Sequence, residues 1–141
     1  MGLEATYPGI RMSERNLRLL DEIFEQFNRT GQPRTDSMHP DVEWVPIRED
    51  PDFEVRHGRA AVHTYLAGWG EAFDELRAER LETIASGEKA FVWLRLSGKG
   101  RASSTPIEME QGIVYTFRDG KVARGEEFTD RAEARRAAGL E

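Results

Sequence analysis

The chain reads as one α+β domain with its long helices first and an antiparallel sheet after them. Three observations predict this. Apolar residues recur at helical spacing twice in the first half. The second half is dense in alternating or continuous runs of strand-forming residues. Asp119-Gly120 stands between two such runs as a tight hairpin signal.

Residues 1–12 hold Gly2, Pro8 and Gly9 and are read as a flexible lead-in, leaving 13–141 as the single domain. Ser13 is a candidate N-cap, with Glu14 in the first turn. Leu17, Leu20, Phe24 and Phe27, with Ile23 beside them, form one buried stripe, and Gly31 and Pro33 end that helix. A polar segment with a brief helical turn follows over 34–40. Asp41 to Val45 is strand-like, with Val42 and Trp44 on one face. Residues 46–57, with Pro46, Pro51 and a cluster of acidic residues, predict a loop.

Gly58 opens a second helix that runs to about Phe73, with Val62, Tyr65, Leu66, Trp69 and Phe73 as its apolar stripe. Leu76 to Ala85 is read as a strand, although its propensity suits a helix nearly as well. Lys89 to Ser97 is apolar on both faces, which predicts a central strand. Gly98 to Pro106 is a flexible connection. Ile107, Met109, Ile113, Tyr115 and Phe117 share one parity of the next strand, and Lys121 to Thr129 returns after the turn. Asp130 caps a short last helix, Arg131 to Ala138, which Gly139 ends.

A chain of 141 residues fits one domain. The absence of cysteine excludes disulfides and thiolate zinc sites. A net charge of −6, with Lys and Arg scattered among acids, argues against binding nucleic acid or an anionic membrane. No apolar run reaches the roughly 20 residues of a membrane span, and Met1 to Arg11 lacks the apolar core of a signal peptide. A cytoplasmic protein is the resulting expectation. No two of His39, His57 and His63 have the i, i+4 spacing of a helical metal pair, so no metal is expected. Gly98-Lys99-Gly100 lacks the strand-to-helix setting of a phosphate loop.

Four strings, taken in order, carry a resemblance. They are His39-Pro-Asp-Val-Glu-Trp44, His57-Gly-Arg59, Tyr115-Thr-Phe-Arg-Asp-Gly-Lys-Val122 and Phe128-Thr-Asp-Arg-Ala-Glu-Ala134. Over about residues 13–140 the chain is similar to the nuclear transport factor 2-like superfamily, particularly its SnoaL-like (polyketide cyclase-like) branch. The resemblance implies a cystatin-like cone, in which a strongly bent antiparallel sheet wraps around the N-terminal helices and encloses an apolar pocket. It also implies frequent homodimers packed through the sheet. The expectation adopted for this chain is a cofactor-free pocket protein that acts on or binds a small apolar organic molecule. Because this fold serves many functions, the pocket residues must decide between them.

The superfamily's limonene-epoxide hydrolases place a Tyr, an Asn, an Arg and an Asp where this chain has Trp44, Pro46, Lys89 and Phe91; only Glu127 keeps a carboxylate. Ketosteroid isomerases need an acid near Trp44 and a tyrosine near Ile23. SnoaL-type cyclases pair an acid with a histidine, and here every histidine precedes residue 64.

Glu127 is therefore the catalytic candidate. A carboxylate facing a cavity is desolvated, which raises its proton affinity and suits a general base. A simple register from Asp119-Gly120 sets Gly112 opposite Glu127, on a face with Val114 and Thr116; a bulge would reverse that face. The competing reading has Glu127 facing solvent or paired with Arg95. Trp44, Phe91, Trp93, Arg95 and Tyr115 are the candidate ligand-binding residues. Phe91, Trp93 and Arg95 share one parity of the central strand and either line the pocket or belong to core and sheet surface. The functional expectation is proton-transfer chemistry on a small apolar molecule. The alternative is a noncatalytic binding or interaction module.

Overall fold

The computed structural model describes residues 8–140. Helix α1 spans Pro8–Thr30. A 3-10 turn at Thr35–Ser37 leads into β1, Met38–Val45. Strand β2 is Arg56–His57 and α2 is Arg59–Ala72. Then come β3 (Phe73–Ser86), β4 (Lys89–Gly100), β5 (Pro106–Arg118) and β6 (Lys121–Phe128), followed by α3 (Arg131–Ala137). Residues 1–7 of the expected lead-in lie outside the described residues. Residues 8–12 are helical, so α1 begins at Pro8 rather than beyond a cap at Ser13. Proline suits a helix start because its missing N–H would have had no partner there.

The six strands form one sheet in the order β2-β1-β6-β5-β4-β3. Neighbours pair antiparallel except β1 and β6, which run parallel. The expected loop over 46–57 ends in two paired residues, with Glu43 opposite His57 and Trp44 opposite Arg56. Register shifts interrupt β3–β4, β5–β6 and β1–β6. Such irregularities bend a sheet and strengthen its twist. The DG turn forms as expected, with φ of 55° at Asp119 and 75° at Gly120, both in the left-handed region such a hairpin turn requires.

Strand β4 is apolar on both faces because it is covered on both. Ala90, Val92, Leu94 and Leu96 point inward to a core shared with Leu20 and Phe24 of α1, Val62 of α2, and Ile113, Tyr115 and Phe117 of β5. Phe91 and Trp93 point outward, where Ala134 and Ala138 at the C-terminal helix cover them together with Val114. Burying each such aromatic contributes about 1.5–3 kcal/mol, which explains why a seven-residue helix holds its place. Its N-cap helps: the Asp130 carboxylate accepts from the N–H groups of Ala132 (2.8 Å) and Glu133 (3.1 Å).

Helix α1 is tied to β3 by an amide clip. Asn28 Nδ2 donates to the Ala78 carbonyl at 2.9 Å, and the Ala78 N–H donates back to Asn28 Oδ1 at 2.7 Å. With α1 and α2 on the inner face, the sheet encloses a cavity between its inner strands and the helices.

Candidate functional site

The cavity measures about 100 Å³ and its wall is overwhelmingly apolar. Ile23, Phe24 and Phe27 of α1, Leu66 and Trp69 of α2, and Leu94, Leu96 and Ile113 of the sheet supply most of that wall. Its buried polar features are few. Glu127, Gln111, Ser37 and Tyr115 reach it from β6, β5, the 3-10 turn and β5 respectively.

Glu127 faces this cavity because of a bulge. Thr116 pairs with Arg124 but Phe117 pairs with Val122, so Ala123 is the extra residue and the register moves by one. Glu127 therefore lies opposite Ile113, not Gly112, and shares the inward face of Ile113 and Tyr115 rather than that of Val114 and Thr116. The carboxylate is 4% exposed. Trp44 Nε1–H donates to Oε2 at 2.8 Å and the Ile47 N–H donates to Oε1 at 3.2 Å. The Tyr65 hydroxyl sits 3.0 and 3.1 Å from the two oxygens. No Arg, Lys or His pairs with Glu127 among the described residues.

Burial pushes the Glu127 carboxyl above the usual carboxylate range. The donors from Trp44, Tyr65 and Ile47 pull back against this, and the charge of Asp50 adds to the rise. Burial, and next the Glu127 charge, push the Tyr65 hydroxyl up too, so it stays protonated and donates. The result is a carboxyl group held by neutral donors at the edge of an apolar space, able to release or accept a proton without a fixed counter-charge.

Trp44 reaches Glu127 by lying across the backbone of β6. Trp44 and Gly125 are partners in the parallel pair, and a Cβ at Gly125 would fall 2.7 Å from Trp44 Cη2, with Cζ3 and Cε3 closer still. Only glycine leaves room for the indole. Tyr115 packs edge-to-face against Trp44, with ring centroids 6.0 Å apart.

Of the expected site residues, the structure brings Trp44, Tyr115 and Glu127 together on the cavity. It does not bring Phe91, Trp93 or Arg95 there. Phe91 and Trp93 occupy the opposite parity of β4, beneath the C-terminal helix. Arg95 is on the outer surface, near Glu79, Glu108 and Glu110 at 3.5, 3.1 and 3.4 Å, so it neither lines the cavity nor holds Glu127. Two donors to Glu127 were not anticipated. Tyr65 reads as one member of a helical apolar stripe, and only its polar tip hinted at more. The Ile47 N–H is a backbone group with no sequence signal. The histidines sit apart from the cavity wall: His63 Nδ1 meets Thr35 Oγ1 at 2.8 Å, and His39 Nε2 lies 3.6 Å from Asp119. Among the described residues no cluster of three or more His, Asp or Glu side chains could hold a metal, and no helix is long and apolar enough to cross a membrane.

A profile of the SnoaL-like domain matches residues 20–125. The chain belongs to this family. Solved structures agree in fold at low identity. One is a Jannaschia sp. CCS1 protein assigned as a SnoaL-like polyketide cyclase, 17% identical, with a TM-score of 0.72 over 92% of this chain and 95% of that one. Another is Bal32a, from a soil-derived mobile gene cassette, 18% identical with a TM-score of 0.73 over 82% and 89%. A third is TerC, co-crystallised with polyporic acid, 21% identical with a TM-score of 0.68 over 89% and 98%. No curated protein sequence matches this SnoaL-like chain.

Proposed function

We propose that this SnoaL-like domain takes a small, largely apolar organic molecule into its cavity and moves a proton on it with Glu127. One observation carries the reading: a buried carboxyl with raised proton affinity and, among the described residues, no cationic partner borders a largely apolar cavity. In the proposed step, ionised Glu127 takes a proton from an acidic C–H or O–H of the substrate and becomes the neutral acid. It can then return that proton to a second atom, which gives isomerisation, cyclisation or dehydration according to the substrate. Trp44, Tyr65 and the Ile47 N–H stabilise the carboxylate before transfer, and Trp44 and Tyr115 shape the wall. Polyporic acid in TerC is an organic ligand on the same fold and supports the substrate class.

Deuterium exchange into small enolisable ketones such as 2-indanone tests the reading. Wild-type protein in heavy water should exchange the acidic C–H faster than buffer, and Glu127→Gln should lose about 100-fold of that rate. Equal rates in both proteins would refute Glu127 as the base.

A noncatalytic binder is the second reading. The three donors already converging on Glu127 favour it, since a satisfied carboxylate can be purely structural. Binding of the same ketones without exchange would select it. An outward-facing docking module has less support, because Leu81 and Met109 are the only large apolar side chains strongly exposed among the described residues. The homodimer implied by the resemblance belongs to the same proposal, and sedimentation equilibrium reads it directly.

A further inference from the structure

Among the described residues, the cavity wall contains one polar side chain that neither the fold nor the proton-transfer reading uses. Gln111 of β5 is 4% exposed and lies opposite Leu94, on the inward parity of Ile113 and Tyr115. Gln111 is one of the residues that line the cavity. Oε1 is buried and accepts no hydrogen bond among the described residues. Burying a polar group without a partner is costly, and such groups are few in native proteins. An apolar side chain would line this wall more cheaply.

We propose that Gln111 is the ligand's polar anchor: its Oε1 accepts a hydrogen bond from a hydroxyl or N–H group on an otherwise apolar molecule. This rests on reading the cavity as a ligand site, and it narrows the ligand class to small apolar alcohols, phenols or amides. Glu127 is a weaker acceptor for that group because three donors already occupy its oxygens. Gln111 is also well placed relative to it. Ile113 is the cross-strand partner of Glu127, so Gln111 is the diagonal neighbour, roughly 7–8 Å away between Cα atoms. A molecule held by its hydroxyl at Gln111 would lie within reach of Glu127 across the same cavity. Gln111 is thus a positioning residue, and specificity follows from the unpaired oxygen that an analogue lacking the donor would leave behind.

A matched pair of probes tests this. Toluene and p-cresol share a shape and differ by one hydroxyl. Titration calorimetry of the wild-type chain should show p-cresol binding about tenfold or more tightly than toluene. Gln111→Met, nearly isosteric, and Gln111→Leu should abolish the preference while retaining toluene binding. Glu127→Gln should keep the preference. Equal binding of both probes by wild type overturns the inference and leaves the cavity reading standing. So does a preference that survives both Gln111 variants or disappears in Glu127→Gln. If neither probe binds, the cavity reading fails and the anchor falls with it.

Discussion

Replacing Gly125 with alanine adds one methyl group at the point where Trp44 crosses β6. The added Cβ would lie 2.7 Å from Trp44 Cη2 and nearer to two other ring atoms. Carbon atoms pack best at about 3.5–4.0 Å, so the indole must retreat by an ångström or more. It cannot do so freely, because Tyr115 packs against it edge-on, with ring centroids 6.0 Å apart, and Trp44 is 97% buried. Gly125 is absent from the positive-φ glycines, so alanine suffers no backbone penalty there and the cost is all contact. Overpacking costs about 1–3 kcal/mol. Displacing Nε1 from Glu127 removes a hydrogen bond to a charged group, about 1.5–3 kcal/mol more. The expected loss of about 3–5 kcal/mol is a large share of the roughly 5–15 kcal/mol that holds a domain together.

Urea unfolding followed by far-ultraviolet circular dichroism measures it, with an unchanged slope showing that the midpoint reports stability. A double-mutant cycle isolates the cause: once Trp44→Ala has removed the ring, Gly125→Ala should cost less than about 0.5 kcal/mol. A loss below about 1 kcal/mol in the wild-type background, or the same loss in both backgrounds, would refute the seating of Trp44 over Gly125.

Other outcomes follow from the same site. The folded Glu127 carboxyl is raised, so its contribution to stability is fully present below the unfolded value of about 4.3 and is lost as pH rises through the folded value. Wild-type urea midpoints should therefore fall across that window, and Glu127→Gln should lack that fall; coincident profiles would contradict the raised carboxyl. Tyr65→Phe removes a donor shared by both oxygens, so carbon-13 titration of the Glu127 carboxyl should move to higher pH, with about 1.5–3 kcal/mol lost where it is ionised; an unmoved titration would place the hydroxyl elsewhere. Asp130→Ala removes the cap of α3 and should cost about 1 kcal/mol in urea unfolding. No loss there would mean that burial of Phe91 and Trp93 alone holds the helix.

The helices and strands were largely legible in the sequence, because periodicity and turn residues are local signals. Faces were legible only where a strand has one dry side. In β5, Ile113, Tyr115 and Phe117 all point inward as their shared parity predicts, although Met109 on the same parity is 40% exposed towards the strand's open end. In β4 both parities are apolar, so nothing local distinguishes Val92, Leu94 and Leu96, which face the cavity side, from Phe91 and Trp93, which face the last helix. Glu127 was legible as a candidate through the family resemblance, as the one compared position that keeps a carboxylate. Its partner was not, because the single extra residue at Ala123 is invisible in a pattern that alternates on either side of it. The donors to Glu127 come from positions 44, 47 and 65, about 60 to 80 residues away along the chain, and no spacing rule reaches that far.

The amide clip between Asn28 and Ala78 bears on how copies of this molecule meet. Among the described residues, strand β3 is the last strand on its side of the sheet, with no neighbour beyond it. An outermost strand offers its free N–H and C=O groups to any extended chain that passes, which is how β-rich proteins stack into aggregates. At Ala78 those two groups are already taken by a side chain that imitates a pairing strand. An incoming strand would have to dislodge α1 before it could zip along the edge. The residue that fastens the first helix thus also guards the sheet's margin, and losing it would expose a template for growth as well as loosen a contact.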